Sequence, residues 1–335
     1  MMNQLPDRRI HGGPNGGAAV RWDFSTNANA VGPCPLVVDA LKNLDARAYP
    51  DPASARVRHA LADLHGVAYE RIVVAASGSE AIARITAWVA RDGGQSFWAP
   101  AHAYGDYRHF SNQWHLTEVE HPEDAELVWW CDPASPTGEM ERGRQALSAS
   151  LPGRVSVLDC AYAPLRLDGE PVPSAQMDKV WQLWSPNKAL GQTGVRGAYV
   201  IAPEGAEAMA ERLSALAPSW PLGVHGEAML LQWTRPEVQA WVEASKATLR
   251  DWRELLLQHL NMAGWTCLPT NTHFLCAMPL RPVNGESAAM AGFRLRDATS
   301  FGLPGYWRLS AQPEEAVTAL YRWLIGAKAA RGCEA

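Results

Sequence analysis

The order of apolar runs along these 335 residues predicts an α/β fold, a mostly parallel β-sheet covered by helices with a smaller α+β domain appended. Two observations carry that prediction. Through the middle of the chain, short apolar runs bounded by Pro, Gly or Asp alternate with helix-like stretches, as strands buried on both faces do. Further on the rhythm changes to one long helix-periodic region, then two more apolar runs and a closing helical stretch.

Taken in order, Arg71-Ile-Val-Val-Ala75 reads as a buried strand, and Ser77-Gly-Ser-Glu80 opens a helix through Ile82, Ile85 and Val89. Gln95–Ala99, Leu127–Cys131, Val155–Leu158, Val180–Trp184 and Ala198–Ile201 are the next strands. Pro236 starts a new helix, because proline is tolerated in a first turn but not in an interior. Trp241, Leu249, Trp252, Leu256 and Leu260 recur at helical spacing until Gly264. Phe274–Met278 and Tyr306–Ser310 are strands of the smaller domain, closed by a helix near Glu314–Leu324. The expected division is an N-terminal segment 1–45 against the small domain, a large domain 46–235 and a small domain 236–335, with one cleft.

Composition narrows the function classes. A net charge of -5 and the absence of any basic run leave no footprint for nucleic acid. No apolar run approaches membrane-spanning length, and residues 1–9 lack the apolar core of a secretory signal. Six cysteines lie scattered without C-x-x-C spacing, several inside strand-like runs where they act as small hydrophobes. A reduced, cytoplasmic protein without a cysteine metal site is expected. The many tryptophans read as core packing.

In a sheet of this type ligands gather at the carboxyl ends of the strands. There, Ser77-Gly78-Ser79 joins a strand to a helix, where hydroxyls, backbone N–H groups and the helix dipole suit a phosphate; Ser77 also suits an N-cap. Asp159 and Tyr162 follow another strand. A carboxylate there can pair with a pyridine nitrogen, although a strand-end Asp is also a common turn residue. After Val180–Trp184 come Ser185 and Lys188, with Arg196 eight residues beyond the lysine. A lysine amine can form a Schiff base with an aldehyde cofactor, and a serine and an arginine beside it can hold a phosphate.

This succession of phosphate loop, Asp-x-x-Tyr, Ser-x-x-Lys and arginine resembles the pyridoxal-phosphate aminotransferases of fold type I, class I/II, along nearly the whole chain. The resemblance implies a three-layer sandwich and pyridoxal 5'-phosphate as cofactor. Lys188 would hold the aldehyde and move the proton, Asp159 would face the ring nitrogen, and Tyr162 the ring oxygen. Ser77, Gly78, Ser79, Ser185 and Arg196 would bind the phosphate. Tyr49, in Ala48-Tyr-Pro-Asp-Pro52, matches a tyrosine that reaches the partner's phosphate, which implies a homodimer with shared sites. For the ring-stacking residue an ungapped match prefers His102, and a shifted one Tyr104. Ser135, in Asp132-Pro-Ala-Ser-Pro-Thr-Gly138, stands where the family's asparagine meets the ring oxygen. A serine is shorter and needs a water to bridge the gap.

Within that superfamily the chain is similar to the histidinol-phosphate aminotransferases and the threonine-phosphate decarboxylases. His11-Gly-Gly13 and Asp23-Phe-Ser-Thr-Asn-Ala-Asn29 resemble the decarboxylase opening, which implies that His11 and Asn29 meet substrate. Arg296 and Arg308 resemble the arginine pair that both groups turn to a substrate carboxylate or phosphate, a use that suits bidentate guanidinium bonds. Arg294 reads more simply as a solvated charge. The leading expectation is decarboxylation of L-threonine O-3-phosphate to (R)-1-amino-2-propanol phosphate, a cobalamin building block. The alternatives are an aminotransferase for histidinol phosphate or an aromatic amino acid, and a non-catalytic protein that keeps the fold and binds cofactor or partner.

Overall fold

The computed structural model describes residues 12–13, 19–140, 143, 147 and 153–332; His11 lies outside the described residues. A short strand, β1 (Trp22–Asp23), is followed by α1 (Pro35–Lys42) and α2 (Ala55–His65). The large sheet then forms from β2 (Ile72–Ala75), β3 (Ser96–Trp98), β4 (Thr117–Glu118), β5 (Leu127–Cys131), β6 (Val155–Asp159), β7 (Trp181–Trp184) and β8 (Ala198–Ile201). Its order is β2-β8-β7-β6-β5-β3-β4. Only β8 runs against the others, antiparallel to both β2 and β7.

Helices cover both faces, and the strands show it residue by residue. Val73 and Ala75 point into one core with Ile82, Ile85, Phe97 and Trp129. Their neighbours Ile72 and Val74 point into a second core with Leu61, Tyr199, Leu230 and Leu249. Successive side chains of a strand alternate faces, so a sheet covered on both sides reads as an unbroken apolar run. The helix after β2 is α3 (Gly78–Arg91), and that after β3 is α4 (Gly105–Gln113). Ser77 caps α3, accepting from the Glu80 N–H at 3.1 Å, while the Glu80 carboxylate accepts from Ala76 N. The pair forms a variant of the capping box.

After α5 (Ser174–Met177) and α6 (Glu207–Ser214) come α7 (Val224–Trp233) and α8 (Pro236–Met262), and then, on either side of a short α9 (Gly285–Met290), four short strands. They are β9 (Trp265–Cys267), β10 (Phe274–Pro279), β12 (Arg296–Asp297) and β13 (Trp307–Ser310), in the antiparallel order β12-β13-β10-β9. The 27 residues of α8 span both units: Val238, Val242 and Leu249 belong to the core of the large sheet, and Leu256 and Leu260 to that of the small one. The last helix, α10 (Glu314–Gly332), contributes Val317 and Leu320 to this small core.

The N-terminal stretch divides between the two cores. Trp22 and Asp23 pair in parallel with Phe293 and Arg294 of β11 (Phe293–Arg294), and Phe24 is fully buried beside Leu275 and Leu309. Val37 of α1 instead enters the core that holds Leu230 of α7. None of the described helices is long and apolar enough to cross a membrane.

Candidate active site

One edge of the large sheet gathers the polar residues that the sequence singles out. Six strands deliver their carboxyl ends there, and β8, because it is reversed, delivers its amino end. Hence Arg196, just before β8, reaches the same edge as Ser185 and Lys188, just after β7. A cavity of about 500 Å³ opens at this edge. Ser77, Gly78, Ser79, Tyr104, Ser135, Asp159, Tyr162, Ser185, Lys188, Arg196 and Arg308 all line it.

The phosphate-loop residues are packed tightly. A Cβ built on Gly78 would lie 2.7 Å from Ser185 Oγ, so only glycine lets the two loops approach. Ser79 Oγ lies 3.1 Å from the Tyr104 hydroxyl. The first turn of α3 therefore offers hydroxyls and N–H groups at the positive end of a 14-residue helix. Capping and anion binding are compatible here, since Ser77 already satisfies one backbone donor.

Asp159 is buried at 7% exposure. Its Oδ2 accepts from the Tyr107 hydroxyl at 2.7 Å and its Oδ1 from Ala161 N at 2.9 Å. Burial raises its pKa, and the Lys188 charge and these hydrogen bonds oppose the rise. Such a carboxylate gains from a further cation or N–H donor. Tyr107 is itself fully buried, stacked on Trp129 with centroids 4.8 Å apart, and burial pushes its hydroxyl pKa well up, so it stays a donor. The Lys188 Nζ sits 5.5 Å from the Tyr162 ring centroid and makes no hydrogen bond or ion pair among the described residues.

At the other wall Arg308 is 6% exposed. Its Nη2 donates to Ser25 O at 3.1 Å, its guanidinium lies over Phe301 and Phe274 at 5.2 and 5.9 Å, and its buried Nε has no partner. No carboxylate among the described residues pairs with it. A buried cation left so open calls for an anion. The glycine pair 12–13 packs beside it: a Cβ on Gly12 would meet Ser25 O at 2.2 Å and Arg308 Nη2 at 3.2 Å. The Asp23 carboxylate fixes this wall, accepting from Ser25 N, Ser25 Oγ and Thr26 Oγ1.

Four expected residues lie elsewhere. His102 does not line the cavity; its Nδ1 is 3.1 Å from Phe301 O, and the ring at the cavity wall is that of Tyr104, the N-cap of α4. The two-residue slip follows from where α4 begins. Asn29 is likewise displaced from substrate: its amide donates to Ala189 O and Ser245 Oγ and accepts from Val31 N. That bonding ties the N-terminal segment to the lysine loop, and Asn27 faces the cavity instead. Arg296 pairs across the sheet with Arg308 but is buried behind it, donating to Asp297 O and Ser300 Oγ. Burial, with the charge of Arg308, lowers its pKa to about 10. Tyr49 is 79% exposed and stacks on Trp220, centroids 4.3 Å apart, outside the cavity of its own chain.

The sequence reading passed over Asn27, Tyr107 and Asn187. Asn27 Nδ2 lies 3.4 Å from the Tyr162 hydroxyl, and Asn187 Nδ2 reaches Thr193 O and Val195 O, closing the loop between Lys188 and Arg196. The second tyrosine in Tyr104-Gly-Asp-Tyr107 was the available signal for Tyr107. No group of three or more metal-ligating side chains occurs among the described residues.

The donor set fits a phosphorylated pyridine aldehyde: an open amine, a desolvated carboxylate, and a helix N-terminus with hydroxyls and Arg196. Comparison with known proteins agrees. The model of the family "Aminotransferase class I and II" matches residues 21–120 and 112–322. Histidinol-phosphate aminotransferase 1 of Bradyrhizobium diazoefficiens is 26% identical over 288 residues, covering 79% of this chain and 80% of that protein. Among solved structures, L-threonine-O-3-phosphate decarboxylase from Porphyromonas gingivalis superposes with a TM-score of 0.76 at 20% identity, covering 90% of this chain and 98% of that one. Histidinol-phosphate aminotransferase from Sinorhizobium meliloti, solved in complex with pyridoxal-5'-phosphate, gives 0.76 at 19% identity, covering 92% and 91%. Those likenesses show the fold, and the family model adds the lineage: the chain belongs to the class I and II aminotransferase family.

Proposed function

We propose that the chain is a pyridoxal 5'-phosphate enzyme that decarboxylates L-threonine O-3-phosphate to (R)-1-amino-2-propanol phosphate, the building block of the cobalamin side chain. The observation that carries the reading is the buried Arg308, without a carboxylate partner among the described residues, walled by Gly12 and Gly13 and facing the cavity that holds Lys188.

When bound, the cofactor supplies an electron sink for the bond that breaks at the amino-acid Cα. The residues divide the rest of the work. Ser77, Gly78, Ser79, Ser185 and Arg196 would hold its phosphate, and Asp159, positioned by Tyr107 and Ala161, its ring nitrogen. Tyr104 would lie against the ring, with Tyr162, Asn27 and Ser135 toward its ring oxygen. Lys188 would hold the aldehyde and then deliver a proton to Cα. Arg308 would fix the substrate carboxylate, and with it which of the bonds at Cα stands in the reactive orientation. Tyr49, exposed on one protomer, would complete the phosphate site of its partner in a homodimer.

The second reading, an aminotransferase for histidinol phosphate, is supported by the curated relatives, of which the Bradyrhizobium protein is one. It uses the same residues with the Cα–H bond presented instead. A non-catalytic role gains nothing from an accessible Lys188 beside a buried Asp159. Incubating the holoenzyme with threonine phosphate and, separately, with histidinol phosphate, each with and without 2-oxoglutarate, separates the three. Multiple turnovers of carbon dioxide without the oxo acid are expected. Strict dependence on the oxo acid without carbon dioxide assigns the aminotransferase, and no product in either case assigns the binding role.

A further inference from the structure

We propose that a second cavity, on the opposite face of the same strand ends, binds a small carboxylate carried on a flat apolar body. It encloses about 540 Å³, the size of small-molecule sites, and its lining shares no residue with the first. The two cavities are separated by the pleat. Asp159 faces the first while Leu158 and Cys160 face the second; Cys131 and Asp132 divide in the same way, as do Ser185 and Trp184.

Its walls are apolar, with Trp184, Trp233, Leu64 and Met177 among them, yet three cations line it: Arg166, Lys246 and Arg250. The carboxylate in the lining, Asp132, is already bound by Arg166, at 2.6 Å. Among the lining residues three positive charges stand against one negative, and with Glu243 beside Lys246 counted one positive charge is left over. Arg166 is 8% exposed, and its buried Nη1 has no hydrogen-bond partner. Arg250 uses Nε and Nη2 on Leu167 O, leaving Nη1 uncommitted among the described residues. Lys246 is 16% exposed and paired with Glu243, a side chain 70% exposed, a contact that holds it weakly. The His65 imidazole adds no charge, since burial takes its pKa to about 4.

The cations are placed by the helix. Gln239, Lys246 and Arg250 recur at i, i+7 and i+11 along α8, so they fall on one stripe. The adjoining stripe, Val238, Val242 and Leu249, about a quarter turn away, is buried in the core. Unpaired buried N–H donors are costly, and a carboxylate satisfies guanidinium donors two at a time. The tryptophan and leucine walls suit a planar apolar body.

The test is calorimetric titration of the holoenzyme with indole-3-propionate and with its neutral amide, indole-3-propionamide. Saturable binding of the acid is expected, with the amide weaker by roughly tenfold or more, the worth of a charge-assisted hydrogen bond. Arg250→Met should weaken the acid by a similar factor. Val172→Trp, which fills the cavity and keeps every cation, should abolish binding. Arg308→Met, in the other cavity, should leave it unchanged. Lys246→Met provides the same reading if either replacement in the second cavity fails to fold. Absence of saturable binding, equal binding of acid and amide, or loss of binding in Arg308→Met alone would overturn the proposal.

Discussion

Replacing Arg308 by lysine keeps the charge and removes the fork. The guanidinium is 6% exposed, anchored by one bond of 3.1 Å to Ser25 O and wedged between the Phe301 and Phe274 rings. A lysine ammonium in the same channel presents a point charge and cannot make two parallel bonds to a carboxylate. The lost charge-assisted hydrogen bond is worth roughly 1.5–3 kcal/mol, which weakens substrate by about ten- to a hundredfold. Equilibrium titration with threonine phosphate reads this directly. The same titration with (R)-1-amino-2-propanol phosphate, which lacks the carboxylate, is the control and should barely change. Equal weakening of both ligands would show that Arg308 holds the phosphate, and no weakening of either would remove it from the site.

Three further outcomes are expected. Gly12→Ala puts a Cβ 2.2 Å from Ser25 O and forces the backbone beside Arg308 to move; a displacement on the order of 1 Å costs about a hundredfold in turnover, and unchanged steady-state kinetics would refute the close approach. Tyr107→Phe leaves Asp159 with Ala161 N as its remaining hydrogen-bond donor among the described residues, raises the carboxyl pKa further and should weaken pyridoxal phosphate about tenfold by equilibrium dialysis; unchanged affinity would mean that Asp159 does not face the ring nitrogen. His65 is partly buried and His273 fully buried, both neutral, with pKa values lowered to about 4 from 6.5 by burial. Their contribution is complete above pH 6.5 and is lost as pH falls toward 4, up to about 3 kcal/mol each. Denaturant unfolding across that range should show the slope, and His65→Gln should flatten it; an identical slope in the variant would exclude His65 as a source.

The strands β2, β5 and β8 were legible because burial on both faces makes each an uninterrupted apolar run, and β7 is broken only by Gln182. The direction of β8 was not, since a doubly buried strand has the same composition either way up. Strands of two or three residues, such as β4, β9, β11 and β12, are too short for any period to show. At the site, Asp159 ends β6 and Ser77 and Lys188 come shortly after β2 and β7, so all three could be read from local order. The choices of Tyr104 over His102 and Asn27 over Asn29 depend on where α4 starts and on which amide Ala189 and Ser245 capture. Arg296 and Arg308 differ only in which of two adjacent strands stands nearer the cavity, a fact of tertiary packing.

The pairing of Trp22 and Asp23 with Phe293 and Arg294 has a consequence for the order in which the protein is made. A ribosome releases residues 12–27 long before residues 293–310, yet both stretches contribute to the wall of the same cavity. Until β13 emerges, Phe24 lacks Leu309, Ser310 N cannot bond Phe24 O, and Arg308 is absent. The seven strands of the large sheet, by contrast, are all complete by residue 201. A nascent chain can therefore hold the large sheet carrying Lys188 and Asp159 while the Arg308 wall of the cavity is still missing. The buried cation of the cavity is thus acquired after the lysine it faces, and a transcript cut short before β13 leaves a sheet that carries Lys188 without Arg308.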